Sequence, residues 1–118
     1  MTKNYYNHES YMEITHLLMK LGFKTNLNGY HYVREAILLN LHESYIDSFN
    51  KALYTIIAEK FNSSEKNVDR SIRYSISKAI IEGNINNWKL IFPYLNTNSN
   101  YLPSSSEFIS TISELMKL

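Results

Sequence analysis

The stretch IAEKFNSSEKNVDRSI, residues 57–72, carries an Asn and two serines between two apolar-periodic runs, and just beyond them stand Lys66, Asn67, Arg70 and Arg73. An ordinary polar helix–helix connection would read this way. So would a helix-turn-helix whose second helix faces DNA. The second reading has several physical requirements. Two steeply crossed helices must be joined by a turn of about 3–4 residues. A small residue is needed where the backbones approach, and Ala58 stands there. The turn calls for a residue tolerant of the left-handed conformation, which Asn62 is. Ser64 can cap the second helix, and Glu65 suits its positive dipole end. Val68 and Ile72 are then expected to pack back on Ile57 and Phe61. Every structural position of the motif is filled.

The rest of the chain divides at its few glycines and prolines, three and two in number. Tyr11, Ile14, Leu17, Leu18 and Leu21 recur at helical spacing before a stop at Gly22. A second amphipathic helix turns Val33, Ile37, Leu38 and Leu41 inward. Residues 43–50 read as a short helix or a turn. The third helix, from Lys51, is expected to be buried through Leu53, Ile56, Ile57 and Phe61. The fourth has Val68, Ile72, Ile76, Ala79 and Ile80 as its inward stripe and ends at Gly83. A short helix before Pro93 follows. The last helix carries Phe108, Ile109, Ile112 and Leu115 at helical spacing, with Ser105 or Ser106 as its cap. No repeat, heptad array or strand alternation interrupts this series. The expectation is an all-α fold of about six helices, a single domain over residues 1–118 with its helix-turn-helix at about 51–83.

Composition narrows the function. A chain of 118 residues fits one domain of about 100–150 residues. The absence of cysteine excludes disulfides and thiolate metal sites and suits a reducing cytoplasm. No apolar run approaches the roughly 18 residues of a membrane span, and the polar start MTKNYYNHES has no secretory h-region. With a formal net charge of +1, a DNA binder must gather its positive charge on one face.

On the fourth helix, Lys66, Asn67, Arg70, Arg73, Tyr74 and Lys78 fall opposite Val68, Ile72 and Ile76. Arg matches guanine O6/N7 and Asn matches adenine N6/N7 through paired hydrogen bonds. Asn67, Arg70, Arg73 and Tyr74 are therefore the candidate base contacts. Lys51, Lys60, Ser64, Lys66 and Lys78 are the candidate phosphate contacts, which position a protein without reading sequence. Asp69 is expected to pair with Arg73 at i,i+4.

Four blocks resemble the C-terminal, DNA-binding effector domain of the stage-zero sporulation response regulator A family of endospore-forming Firmicutes. They are EITHLLMKLGF, the GYHYVREAI block at Gly29–Ile37, LYTIIAEKFNSSEKNVDRSIRYSI, and LPSSSEFIS near the C-terminus. The resemblance implies a six-helix domain, the helical, winged-helix-like effector part of a response regulator. It implies binding to double-stranded DNA, as a homodimer or as tandem copies on adjacent sites, through contacts that include Arg70 and Arg73. Asn67 stands where the family has a guanine-reading Arg, and Tyr74 replaces a His. Asn87 to Phe92 resembles the family's surface for the RNA polymerase sigma subunit, which makes Asn87, Trp88 and Phe92 candidate partner residues, although Pro93 stands where the family has Gly. The chain reaches the first effector helix within about ten residues of its start, so it is expected to lack the family's receiver domain and not to be controlled by its own phosphorylation.

Other constellations read as structural. Glu13/His16 and His31/Glu35 have spacings that metal sites use, but no third ligand accompanies either pair, so no metal or cofactor is expected. Arg34 and Glu35 read as a structural ion pair or helix-end contact, and Ser104 to Ser106 as a cap and loop. No catalytic constellation stands out, and the expectation is a non-enzyme. Tyr5, Tyr6, Tyr11, Tyr30, Tyr32 and Tyr45 crowd the N-terminal half, and tyrosine is common at interface hot spots. This supports an alternative, a protein-interaction module that antagonises the full-length sporulation regulator or engages RNA polymerase without tight DNA binding. Either reading expects a cytoplasmic, nucleoid-associated protein with no membrane partner.

Overall fold

A computed structural model describes residues 8–43, 52–95 and 101–117. Among them lie six helices and no strand: α1 (His8–Lys20), α2 (Asn28–Glu43), α3 (Tyr54–Lys60), α4 (Glu65–Glu82), α5 (Ile85–Ile91) and α6 (Ser105–Met116). The helix-turn-helix is thus flanked by helices, with no β wing among the described residues. Tyr5, Tyr6, Tyr45 and the ambiguous stretch 44–50 lie outside that range.

α2 is the axis of the fold. It packs against α1, α3, α4 and α6. From Gly29 to Asn40 only His31 and Arg34 escape full burial. The inward stripe expected from the sequence is therefore too narrow, since Tyr30, Tyr32, Ala36 and Leu39 are also core residues. A helix contacted on several sides needs no polar face. The buried Glu35 carboxylate accepts a hydrogen bond from Lys60 Nζ at 2.9 Å, which ties α2 to α3. Arg34 stacks its guanidinium over Tyr11 and Tyr30, 4.4 and 4.8 Å from the ring centroids. It also donates to Thr15 Oγ1 at 3.1 Å and to the Tyr30 hydroxyl at 2.7 Å. The expected ion pair is thus made by Glu35 with Lys60, while Arg34 is held by Tyr11, Thr15 and Tyr30.

Two close backbone approaches fix the arrangement. At Gly29 a Cβ would fall 2.1 Å from the Ser71 carbonyl oxygen, so α2 crosses α4 at a distance only glycine permits. At the other end of α4, Gly83 meets Gly22, and a Cβ on Gly22 would lie 2.9 Å from Gly83 Cα. Gly22 also adopts φ +96. Phe23 N–H donates to Leu18 O and Gly22 N–H to Met19 O, both at 3.0 Å, closing α1 in a Schellman motif. Gly83 is extended, with φ −91. Its small size matters there, not left-handed backbone.

Phe23, Trp88, Phe92 and Phe108 form an aromatic cluster with centroids 5.4–6.0 Å apart. Trp88 Nε1–H donates to Leu21 O at 2.7 Å, which satisfies the one polar atom of the indole. Two expected core residues differ: Phe61 is 37% exposed and Leu115 is 41% exposed. Phe61 lies at the end of α3 and rests edge-on against Tyr32, at 5.1 Å. The cap of α6 is Ser104, one residue ahead of the expected position, with its Oγ accepting from Glu107 N–H at 3.0 Å. Ser105 is buried instead.

The Glu107 carboxylate accepts from the Tyr101 hydroxyl at 2.5 Å and the Tyr94 hydroxyl at 2.7 Å. The Tyr101 bond, then the Tyr94 bond, holds Glu107 below its usual range. Burial, followed by the bond to Glu107, pushes the Tyr101 hydroxyl up. Because the Glu107 pKa is depressed in the folded chain, its contribution is complete above the unfolded carboxylate pKa of about 4.3. It disappears as pH falls through the lower folded value. Glu107→Gln should therefore lower the urea midpoint at pH 6, and by progressively less as pH falls below about 4. Gly29→Ala should destabilise by about 1–3 kcal/mol in urea unfolding, because backbone at Ser71 must move.

Candidate nucleic-acid interface

The motif is built from local chemistry. α3 ends in a second Schellman motif. Ser63 N–H donates to Ala58 O at 2.8 Å and Asn62 N–H to Glu59 O at 3.3 Å, with Asn62 at φ 53. Asn is among the few residues that enter this region at modest cost. The chain then extends through Ser64, whose Oγ accepts from Asn67 N–H at 3.1 Å and caps α4. Thr55 Oγ1 donates to Glu65 Oε2 at 2.6 Å, joining the two helices across the turn. The left-handed Asn62, the Ser64 cap and the buried Ala58 all stand as the sequence implies.

α4 separates its faces cleanly. Val68, Ile72, Ser75, Ile76 and Ala79 are buried. Lys66, Arg70, Arg73 and Tyr74 are exposed on the other side, and Lys78 is half-buried beside them. Tyr74 is 55% exposed, and the Lys78 ammonium lies 5.9 Å from its ring centroid.

The cations differ in what holds them. Arg73 Nε pairs with Asp69 Oδ2 at 3.2 Å, the i,i+4 pair expected from the sequence. Lys78 Nζ donates to Glu82 Oε2 at 2.8 Å. That bond raises the Lys78 pKa and lowers that of Glu82. Lys60 is bound to buried Glu35. Among the described residues no carboxylate pairs with Lys66 or Arg70. Asn67 is half-buried, and its Nδ2 donates to Ser63 Oγ at 2.8 Å. Its amide is engaged by the turn in the free protein, so a base contact requires that bond to be exchanged. Behind the ridge, the Tyr54 hydroxyl is pushed up to about 12, chiefly by burial. Lys51 lies outside the described residues.

The expected partner surface on α5 needs correction. Trp88 and Phe92 are 0% and 1% exposed, and both belong to the aromatic core. They cannot present their rings to a partner without unpacking α5. Asn87 is half-buried and donates from Nδ2 to Lys20 O at 3.2 Å. The side chains α5 does offer to solvent include Asn86, Lys89 and Leu90. Periodicity alone did not separate the two faces of so short a helix.

Residues 14–116 match the family described as sporulation initiation factor Spo0A C terminal. The chain belongs to that family. It is therefore an all-α, DNA-binding effector domain of the sporulation response-regulator type, a class that regulates transcription. The family match begins within α1 and spans α2, the helix-turn-helix, α5 and all of α6. No helix among the described residues is long and apolar enough to cross a membrane.

Sequence reasoning missed one feature beside the ridge. Leu27, Asn28 and Gly29, at the start of α2, form a concavity of about 300 Å³ with Arg70, Ser71, Tyr74 and Ser75 of α4. No motif marks it, because it is made by two segments far apart in the chain. The capping geometry has its own expected outcome. Ser64→Ala should cost about 1 kcal/mol of stability, read as a lowered thermal midpoint, and should loosen the first turn that carries Asn67.

Proposed function

We propose that this chain is a sequence-specific transcription regulator that lays its recognition helix, 64–82, in the major groove of double-stranded DNA. The single observation that supports this most is the sidedness of α4, with Lys66, Arg70, Arg73 and Tyr74 exposed opposite a fully buried stripe. The N-terminal half of a recognition helix meets base edges, and Arg70 and Arg73 stand there. Arg70 makes the first base contact because no ion pair has to be broken to free it. Arg73 exchanges Asp69 for DNA, and Asn67 exchanges the Ser63 hydroxyl. Lys66, Lys60, Lys78 and the Ser64 hydroxyl, with Lys51, meet phosphates. Lys60 does so from its place on Glu35. Such a protein works at the nucleoid, as a homodimer or tandem pair on adjacent sites.

A second reading is favoured by the exposed apolar residues near the end of α4 and on α5. Ile81 is 76% exposed and Leu90 81% exposed, and Leu90 borders a hollow with Leu17, Lys20, Leu21, Asn87 and Ile91. In that reading the domain engages another protein there, the RNA polymerase sigma subunit or the full-length sporulation regulator, and binds DNA weakly.

Selection from random duplexes followed by mobility-shift titration separates the two. The DNA reading expects one enriched sequence, bound less tightly as salt rises. It also expects Arg70→Ala to lose about 1–3 kcal/mol and its preference at one base pair. Arg73→Ala should lose somewhat less, since Asp69 competes for that side chain. Wild-type binding by both Arg variants would overturn the reading.

A further inference from the structure

The hollow between the start of α2 and the face of α4 has the chemistry of an anion cradle. Three features converge on it from different elements. First, the N–H groups of Asn28 and Gly29 open a helix of 16 residues, and no backbone carbonyl among the described residues accepts from either. Helix N-termini offer such unpaired donors, reinforced by the positive end of the dipole. Second, Arg70 lines the same hollow, with no carboxylate partner among the described residues. Third, Ser75 is 2% exposed and its Oγ has no hydrogen-bond partner. That Oγ faces Gly29, lying 2.2 Å from where a Cβ of Gly29 would be. A buried hydroxyl without a partner is costly and calls for one.

The geometry points to a phosphate-binding site here, in which the Asn28 and Gly29 amides hold phosphate oxygens, Ser75 supplies a donor from the floor, and the Arg70 charge stands alongside while its guanidinium stays free for a base. Glycine at position 29 lets α2 touch α4 and brings the first amides of α2 directly beside Ser75. No carboxylate lines the hollow. The phosphate is a backbone group of the duplex or a free phosphate. The hollow opens beside Arg70 on the ridge, which favours the duplex: a phosphate seated there would fix the register of α4 in the groove. The duplex source rests on the proposed reading of α4 as the recognition helix.

Two substitutions test it in the full chain. Asn28→Asp places a carboxylate at the helix start, where the dipole tolerates it, and fills the cradle with like charge. Ser75→Ala removes the unpartnered hydroxyl and should leave thermal stability unchanged or raised. With the duplex that wild type selects, both variants should bind several-fold more weakly. The loss should be equal for specific and random sequence, and for Asn28→Asp the salt slope should shrink by about one unit. Replacing single phosphates by neutral methylphosphonates should reveal one position at which wild type loses affinity and Asn28→Asp does not. In the DNA-free arm, inorganic phosphate titrated into labelled wild type should shift the Asn28 and Gly29 amide resonances, and should shift them less in Ser75→Ala.

Response in the duplex arm alone assigns the site to DNA backbone; response to inorganic phosphate alone assigns it to a free ligand. Wild-type behaviour in both arms overturns the proposal. If Arg70→Ala loses base preference while Asn28→Asp and Ser75→Ala match wild type, the cradle fails and the recognition helix stands. If Arg70→Ala and Arg73→Ala keep full preference while Asn28 and Gly29 respond to phosphate, the recognition helix fails and the cradle stands.

Discussion

The contact between Gly29 and the Ser71 carbonyl is the constraint on which the rest depends. It sets how close α2 comes to α4, and α2 also touches α1, α3 and α6. A bulkier residue would push α4 outward, and with it the exposed ridge and the first turn below it. The paired approach of Gly22 and Gly83 holds the far end of α4. Between these two points the helix has little freedom to rotate, so Arg70 and Arg73 face solvent by construction. The presentation of the ridge is thus a property of the core, not of the ridge residues.

Electrostatics divides the cations into three sets. Lys60 is committed to Glu35, a carboxylate buried in the central helix. Removing that partner would strand a charge in the interior, the costly way to break such a pair. Arg73 and Lys78 sit in exposed pairs that contribute little to stability and are easily exchanged. Lys66 and Arg70 carry no such partner among the described residues. A chain with net charge +1 can therefore still offer a local cationic stripe, because its carboxylates are placed elsewhere or spent.

The local parts of this structure were legible in the sequence and the long-range parts were not. Asn62 and Ser64 act within a few residues of themselves, so their roles follow from backbone conformation and capping. The outward set on α4 follows from helical period. The full burial of α2 does not, since it depends on how many neighbours surround the helix. Trp88 and Phe92 illustrate the same limit: α5 is one short element, and only Phe23 and Phe108, from distant segments, decide which side is inside. Phe61 and Leu115 differ in the opposite sense, as apolar residues near helix ends where neighbours cover them only in part. The α6 cap falls one position ahead of the expected one, within a run of three serines each of which can cap a helix that starts just after it. The hollow beside Arg70 was invisible because half of it comes from the start of α2.

The burial of Trp88 has an optical consequence. It is the only tryptophan in the chain, enclosed by Phe23, Phe92 and Phe108 and anchored to the end of α1 through the Leu21 carbonyl. Its emission is that of an indole shielded from water, and it reports on the union of α1, α5 and α6. The helix-turn-helix contributes no second fluorophore of that kind. Intrinsic fluorescence can therefore follow the integrity of the hydrophobic centre while a ligand occupies α4, separating loss of binding from loss of structure in a single cuvette.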